Sequence, residues 1–189
     1  IQFEDSDKLE SANAPDQESY QPYLDDIHAK NNLTIYCHPE WSCTPARCFE
    51  NMKGNFAMEI WNSGCVIEND MDSNAAYWDE LLGQGKVIYG VATDDGHEMS
   101  HHCHGWVMVN AGNNINAILE ALKNGAFYAS CGPEIYNFYV EDGKAVVECS
   151  AAVKVRLYSD MHPTQVVSSP DGPLSRAEFD IVNGWAGPY

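Results

Sequence analysis

Apolar positions along the chain recur with two different periods, and the change falls near residue 133. Before it, helix-like and strand-like stretches alternate. Tyr20, Tyr23, Leu24 and Ile27 share one face at helical spacing and predict a helix over 16–31, closed by Asn31-Asn32. Residues 33–37 form a short apolar run that reads as a strand. Thr44-Pro45 supplies a hydroxyl cap and a proline suited to a first helical position, predicting a helix that stops near Gly54. A strand is expected over 56–61. A helix follows from Asp72 or Ser73 through Tyr77, Trp78, Leu81 and Leu82, ended by Gly83 or Gly85. Residues 86–92 read as a strand. Ile115, Ile118, Leu119 and Leu122 mark another amphipathic helix, stopped by Gly125, and 126–129 read as a strand. Strands alternating with helices over short links predict a parallel sheet with helical crossovers, an α/β class.

After Pro133 the period shortens to two. Residues 135–140, 145–149, 153–158 and 177–182 read as strands. Glu141-Asp142-Gly143-Lys144 and Pro170-Asp171-Gly172-Pro173 read as hairpin turns, because Asp, Gly and Pro favour the tight backbone a reversal needs. The expected organisation is a flexible lead-in over 1–15, an α/β portion over 16–133, and a small antiparallel, β-sandwich-like domain over 134–189 with no evident closing strand.

Composition narrows the classes of partner. The chain has 189 residues, 44% of them apolar, and a formal charge of -18. That charge argues against a nucleic-acid surface and against anionic membranes, since phosphate contacts need clustered Lys and Arg. No apolar run reaches the roughly 18 residues of a membrane span, and no signal peptide is visible. The seven cysteines form no Cys-x-x-Cys pair, so free buried thiols in a reducing compartment, the cytoplasm, are expected.

The chemistry concentrates where predicted strands end. The run Val87-Ile88-Tyr89-Gly90-Val91-Ala92-Thr93 passes into Asp94-Asp95-Gly96-His97. A carboxylate and an imidazole at the carboxyl end of a parallel strand suit a divalent metal, so Asp95 and His97 are candidate ligands. Asp94 either orients a ligand or caps the turn. His38 follows the strand at 33–37 in the same way and is the third candidate ligand. Glu59, inside a strand, and Asn62, just past its end, are candidates for supporting a ligand or touching substrate, with a plain salt bridge the alternative for the acid. His101, His102 and His104 cluster downstream, and His101 or His104 is a candidate proton donor. No Gly-x-Ser-x-Gly elbow and no phosphate-binding glycine loop is present. Trp41, Trp61, Trp78 and Trp106 fit either a sugar cleft or core packing, with packing the default.

An ordered series of motifs resembles the carboxyl-terminal part of a PHP domain (polymerase and histidinol phosphatase). It runs through His38-Pro39-Glu40-Trp41, Glu59-Ile60-Trp61-Asn62, Trp78-Asp79-Glu80-Leu81-Leu82-Gly83-Gln84-Gly85 and Ala92-Thr93-Asp94-Asp95-Gly96-His97. It continues through Gly105-Trp106-Val107 and the stretch from Ala121 to Glu134, covering roughly 20–135. The resemblance implies part of a distorted (β/α)7 TIM-like barrel with divalent metals, manganese, iron or zinc, at its mouth. It implies hydrolysis of phosphate mono- or diesters by metal-activated water, with a small phosphorylated molecule as substrate. By position, His38, Asp95 and His97 match ligands of the family, while Glu59 and Asn62 match a recurrent strand motif. The family's opening His-x-His motif has no counterpart before His38, and His28 stands alone in a helix. The expectation is therefore a missing amino-terminal segment, or a homo-oligomer, and weak binding of one ion with little turnover by this chain alone. The alternative is a noncatalytic binding or scaffold module derived from such a domain.

Overall fold

A computed structural model of the chain describes residues 17–158 and 165–181. The expected lead-in over 1–15, the start of the first helix and the segment beyond Ile181 lie outside the described residues. Two compact units divide the chain, one up to Cys131 and one from Gly132.

The first unit is built on a parallel sheet. Helix α1 (Gln17–Ala29) precedes strand β1 (Ile35–Tyr36), and β2 (Ala57–Asn62) and β3 (Tyr89–Thr93) follow in the order β1-β2-β3. Ile35 pairs with Ala57, and Asn62 with Thr93, so all three strands end on one side of the sheet. Burial drives this arrangement. Met58, Phe49, Ala46 and Leu81 are buried together, with Tyr36, Tyr77, Trp78 and Ile88 packed around them. Leu81 comes from helix α3 (Asn74–Gly83), which follows the shorter α2 (Ser63–Asn69). Trp78 keeps its polar edge satisfied by donating its N–H to the Ile88 carbonyl at 2.8 Å.

Four sequence expectations need correction. Residues 44–54 do not form a helix. Pro45 precedes a single 3-10 turn, Ala46–Cys48, and Phe49 then leaves the helical path to stack on Tyr36 with ring centres 3.9 Å apart. Core burial of Phe49 and Ala46 outweighs the local cap signal. The run expected over 86–92 pairs only from Tyr89, and Val87 is exposed. Not every strand is parallel either: β4 (Trp106–Val109) and β5 (Phe127–Ser130) form an antiparallel pair, joined through helix α4 (Ile115–Lys123). This pair lies against β3, where the Tyr89 and Phe127 rings meet edge to face at 5.5 Å. The fourth correction falls in the second unit.

That unit consists of antiparallel strands. β6 (Ile135–Glu141), β7 (Lys144–Ala152) and β10 (Leu174–Asp180) form a sheet ordered β10-β7-β6, while β8 (Lys154–Leu157) pairs with β9 (Gln165–Ser168). The turn between β6 and β7 places Asp142 and Gly143 in the left-handed region, with φ of 49° and 74°, as a tight hairpin requires. The turn at 170–173 does not close a hairpin: β9 and β10, which it joins, pair with β8 and β7 respectively. Ala145, Ala177 and Phe179 form the core, covered by Val155, Leu157 and Val167. Among the described residues, no helix is long and apolar enough to cross a membrane.

Candidate functional site

The common end of β1, β2 and β3 is tied together by one carboxylate. Glu59 of β2 is 4% exposed and accepts three hydrogen bonds. The His38 backbone N–H donates to its Oε2 at 2.7 Å, the Asn62 amide to the same oxygen at 3.0 Å, and the Thr93 hydroxyl to Oε1 at 2.8 Å. A buried carboxylate is tolerable only when its lone pairs are used in this way. The Asn62 Nδ2 also donates to Asp95 Oδ2 at 3.1 Å, while its Oδ1 accepts the Cys65 N–H at 2.9 Å and caps α2. Asn62 thus joins the end of β2, the start of α2 and the Asp95 carboxylate.

The backbone is bent sharply at two of these ends. His38 and Asp95 have φ of 30° and 49°, a region that L residues rarely occupy and that is enriched at functional sites. Gly64 allows the first turn of α2 to approach: its N–H donates to the Asp94 carbonyl at 2.9 Å, and a Cβ there would lie 3.1 Å from the Asp95 carbonyl oxygen. His97 Nδ1 lies 2.7 Å from the same Asp95 carbonyl. A carbonyl can only accept, so Nδ1 carries a proton, and in the neutral ring this leaves the lone pair on Nε2, the tautomer found in metal-binding histidines. His38 Nδ1 is 3.0 Å from Ser42 Oγ.

His38, Asp95 and His97 line a single cleft of about 410 Å³, together with Trp41, Gly64, Cys65 and Glu68. Among the described residues, however, no three His, Cys, Asp or Glu side chains converge closely enough to hold a metal ion. Two imidazoles and a carboxylate fit manganese, iron or zinc by donor type.

Asp94 does not line this cleft. Its carboxylate accepts the backbone N–H groups of Cys103, His104 and Gly105 at 2.7–2.9 Å, folding the histidine-rich loop back onto β3. Burial pushes its pKa up, and the N–H groups of His104, Gly105 and Cys103 outweigh that, leaving it below the usual carboxylate value. His101 is 3% exposed and also lies off the cleft lining. Its Nδ1 accepts the His97 N–H at 3.4 Å, and its Nε2 faces Glu68 at 3.4 Å. His104 is exposed, with Nε2 3.0 Å from the Ser100 carbonyl.

Two side chains of the cleft, those of Glu68 and Cys65, escape the sequence reading, and a third, Trp41, is left there between a cleft and core packing. Glu68 and Cys65 lie on α2, whose start follows β2 without any loop, so no punctuation marks it. The Cys65 thiol is raised to about 11, first by burial and then by the nearby Asp95 and Glu59 charges, which makes it a poor nucleophile at neutral pH. Trp41 shares a motif with His38, but spacing alone does not tell a cleft wall from a core residue.

No family model, no curated protein and no solved structure matches this chain.

Proposed function

We propose that this chain carries part of a PHP-type metal-dependent phosphoesterase site, with β1, β2 and β3 as an arc of the barrel. The observation that carries this reading is the shared cleft at the carboxyl ends of adjacent parallel strands, lined by His38, Asp95 and His97. These residues supply the donor types for a divalent ion and would hold it once their side chains are drawn closer than they stand. When bound, manganese, iron or zinc supplies Lewis acidity toward a phosphate ester and acidifies water. The chain's own residues do the positioning. The Asp95 carbonyl fixes the His97 ring, Asn62 holds the Asp95 carboxylate, and Glu59 fixes the His38 backbone. Asp94 anchors the loop that follows His97. A small phosphorylated substrate and a cytoplasmic setting go with this reading; the seven thiols are free, but contrary to the sequence expectation only Cys65 and Cys149 are buried and the other five are exposed.

A noncatalytic binding or scaffold module is the second reading. It is favoured by one observation: no three metal-binding side chains converge among the described residues.

Elemental analysis of the untagged chain, purified without chelator, separates the two. The phosphoesterase reading expects manganese, iron or zinc approaching one ion per chain, falling to background in Asp95→Ala while the thermal transition persists. A chain without metal, or one whose metal content ignores Asp95→Ala, overturns it.

A further inference from the structure

We infer that Trp41 is a stacking platform at the mouth of this cleft, selecting phosphate esters whose leaving group carries a flat aromatic ring. The inference rests on the phosphoesterase reading and deepens it.

Three observations lead there. First, Trp41 is 53% exposed although its turn is rigidly built. The Ser42 N–H donates to the His38 carbonyl at 3.1 Å, that of Cys43 to Glu40 at 3.0 Å, and that of Thr44 to Pro39 at 3.0 Å. Pro39 is fully buried. Two further bonds fasten the turn to the start of α3: the Glu40 N–H donates to Asn74 Oδ1 at 3.1 Å, and the Ser73 N–H to Glu40 Oε2 at 2.7 Å. A large apolar ring held out on such a support contributes little burial to the fold, and an ordered exposed aromatic is a common mark of a binding surface.

Second, two other tryptophans behave differently, and a third, Trp106, is half-buried in β4. Trp61 and Trp78 are half-buried and donate their N–H groups inward, to Ser63 Oγ at 2.9 Å and to the Ile88 carbonyl at 2.8 Å. Third, Trp41 is the one large apolar side chain lining a cleft otherwise made of His38, His97, Asp95, Glu68, Cys65 and Gly64. Its ring centre is 5.2 Å from that of His38, and the planes cross at 76°, so the imidazole does not stack on the indole. A phosphoryl group beside His38 would have its leaving group within reach of the Trp41 ring. Offset stacking there adds affinity for an aromatic group and none for a methyl group.

The test uses the manganese-loaded 189-residue chain, with phenyl phosphate and methyl phosphate as probes, titrated by calorimetry. The expected result is tighter binding of phenyl phosphate by wild type, with the ratio of the two affinities falling about tenfold in Trp41→Ala and largely kept in Trp41→Phe. Equal affinity for the two esters in wild type, or a ratio unchanged in Trp41→Ala, overturns the platform and leaves the phosphoesterase reading standing. Failure of the manganese-loaded chain to bind either ester overturns the phosphoesterase reading and the platform with it.

Discussion

Asp94 illustrates how a single side chain can hold a segment that has no regular structure. Three consecutive N–H groups, from Cys103 to Gly105, converge on its carboxylate, and Cys103 takes a φ of 68° to make this possible. The ionised form is the one that accepts all three, so folding lowers the carboxyl pKa. The stabilisation is therefore complete above the usual carboxylate range and is lost as pH falls through the lowered folded value. Asp94→Asn removes the charge. It is expected to lower stability at neutral pH by about 1–3 kcal/mol, with the gap to wild type closing as the solution is acidified below the carboxylate range. Denaturant melts of both proteins across that interval check the prediction; a gap that persists unchanged in acid contradicts it. The sequence placed Asp94 beside the site but left its task open between turn cap and ligand support. The geometry gives a third task, anchoring a distant loop, which depends on contacts nine to eleven residues along the chain that no local pattern reveals.

Among the elements, the best-anticipated ones combine a strong period with clear punctuation. Helix α4 pairs an apolar face with an Asn114 cap and Gly125 beyond its end, and β6 and β7 flank an Asp-Gly turn. Elements lacking either signal were missed. α2 begins directly at the end of β2, β4 is only four residues long, and the 3-10 turn at Ala46–Cys48 followed a misleading cap. The lining of the candidate cleft was legible to the same extent: strand ends pointed to His38, Asp95 and His97, whereas Glu68 and Cys65 depended on the unseen helix. One contact between elements is testable directly. Gly105 brings β4 against β3 so closely that a Cβ would lie 2.5 Å from the Thr93 carbonyl oxygen and 2.7 Å from Ser63 Oγ. Neither the backbone oxygen nor the pinned hydroxyl can swing clear. Gly105→Ala is expected to cost about 1–3 kcal/mol, read as a lower urea midpoint.

For the whole molecule, the division at Cys131 and Gly132 separates two hydrophobic cores that share no buried residue. The candidate cleft belongs to the first unit alone. Phe179, 3% exposed in the second core, supplies a large share of the apolar area there. Phe179→Ala is expected to cost that unit about 3–5 kcal/mol. Metal content of the folded variant should match wild type, and a parallel loss of bound metal would mean that the two cores fold as one. The period change near residue 133 made this division visible in the sequence, because a shift from helical to alternating apolar spacing reflects a change in how each segment buries its surface.

The Glu59 hub has a consequence for what a ligand meets. One carboxylate fastens the end of β1, the end of β2 and the last residue of β3. The conformational freedom of the three strand ends is therefore surrendered once, during folding, and not again on ligand entry. On the phosphoesterase reading, an ion would still have to bring the His38, Asp95 and His97 side chains together, since among the described residues no three donors converge, but it would do so from strand ends that are already joined. What remains to be ordered on ligand entry would then be side chains, carried on a backbone whose ordering cost is already met.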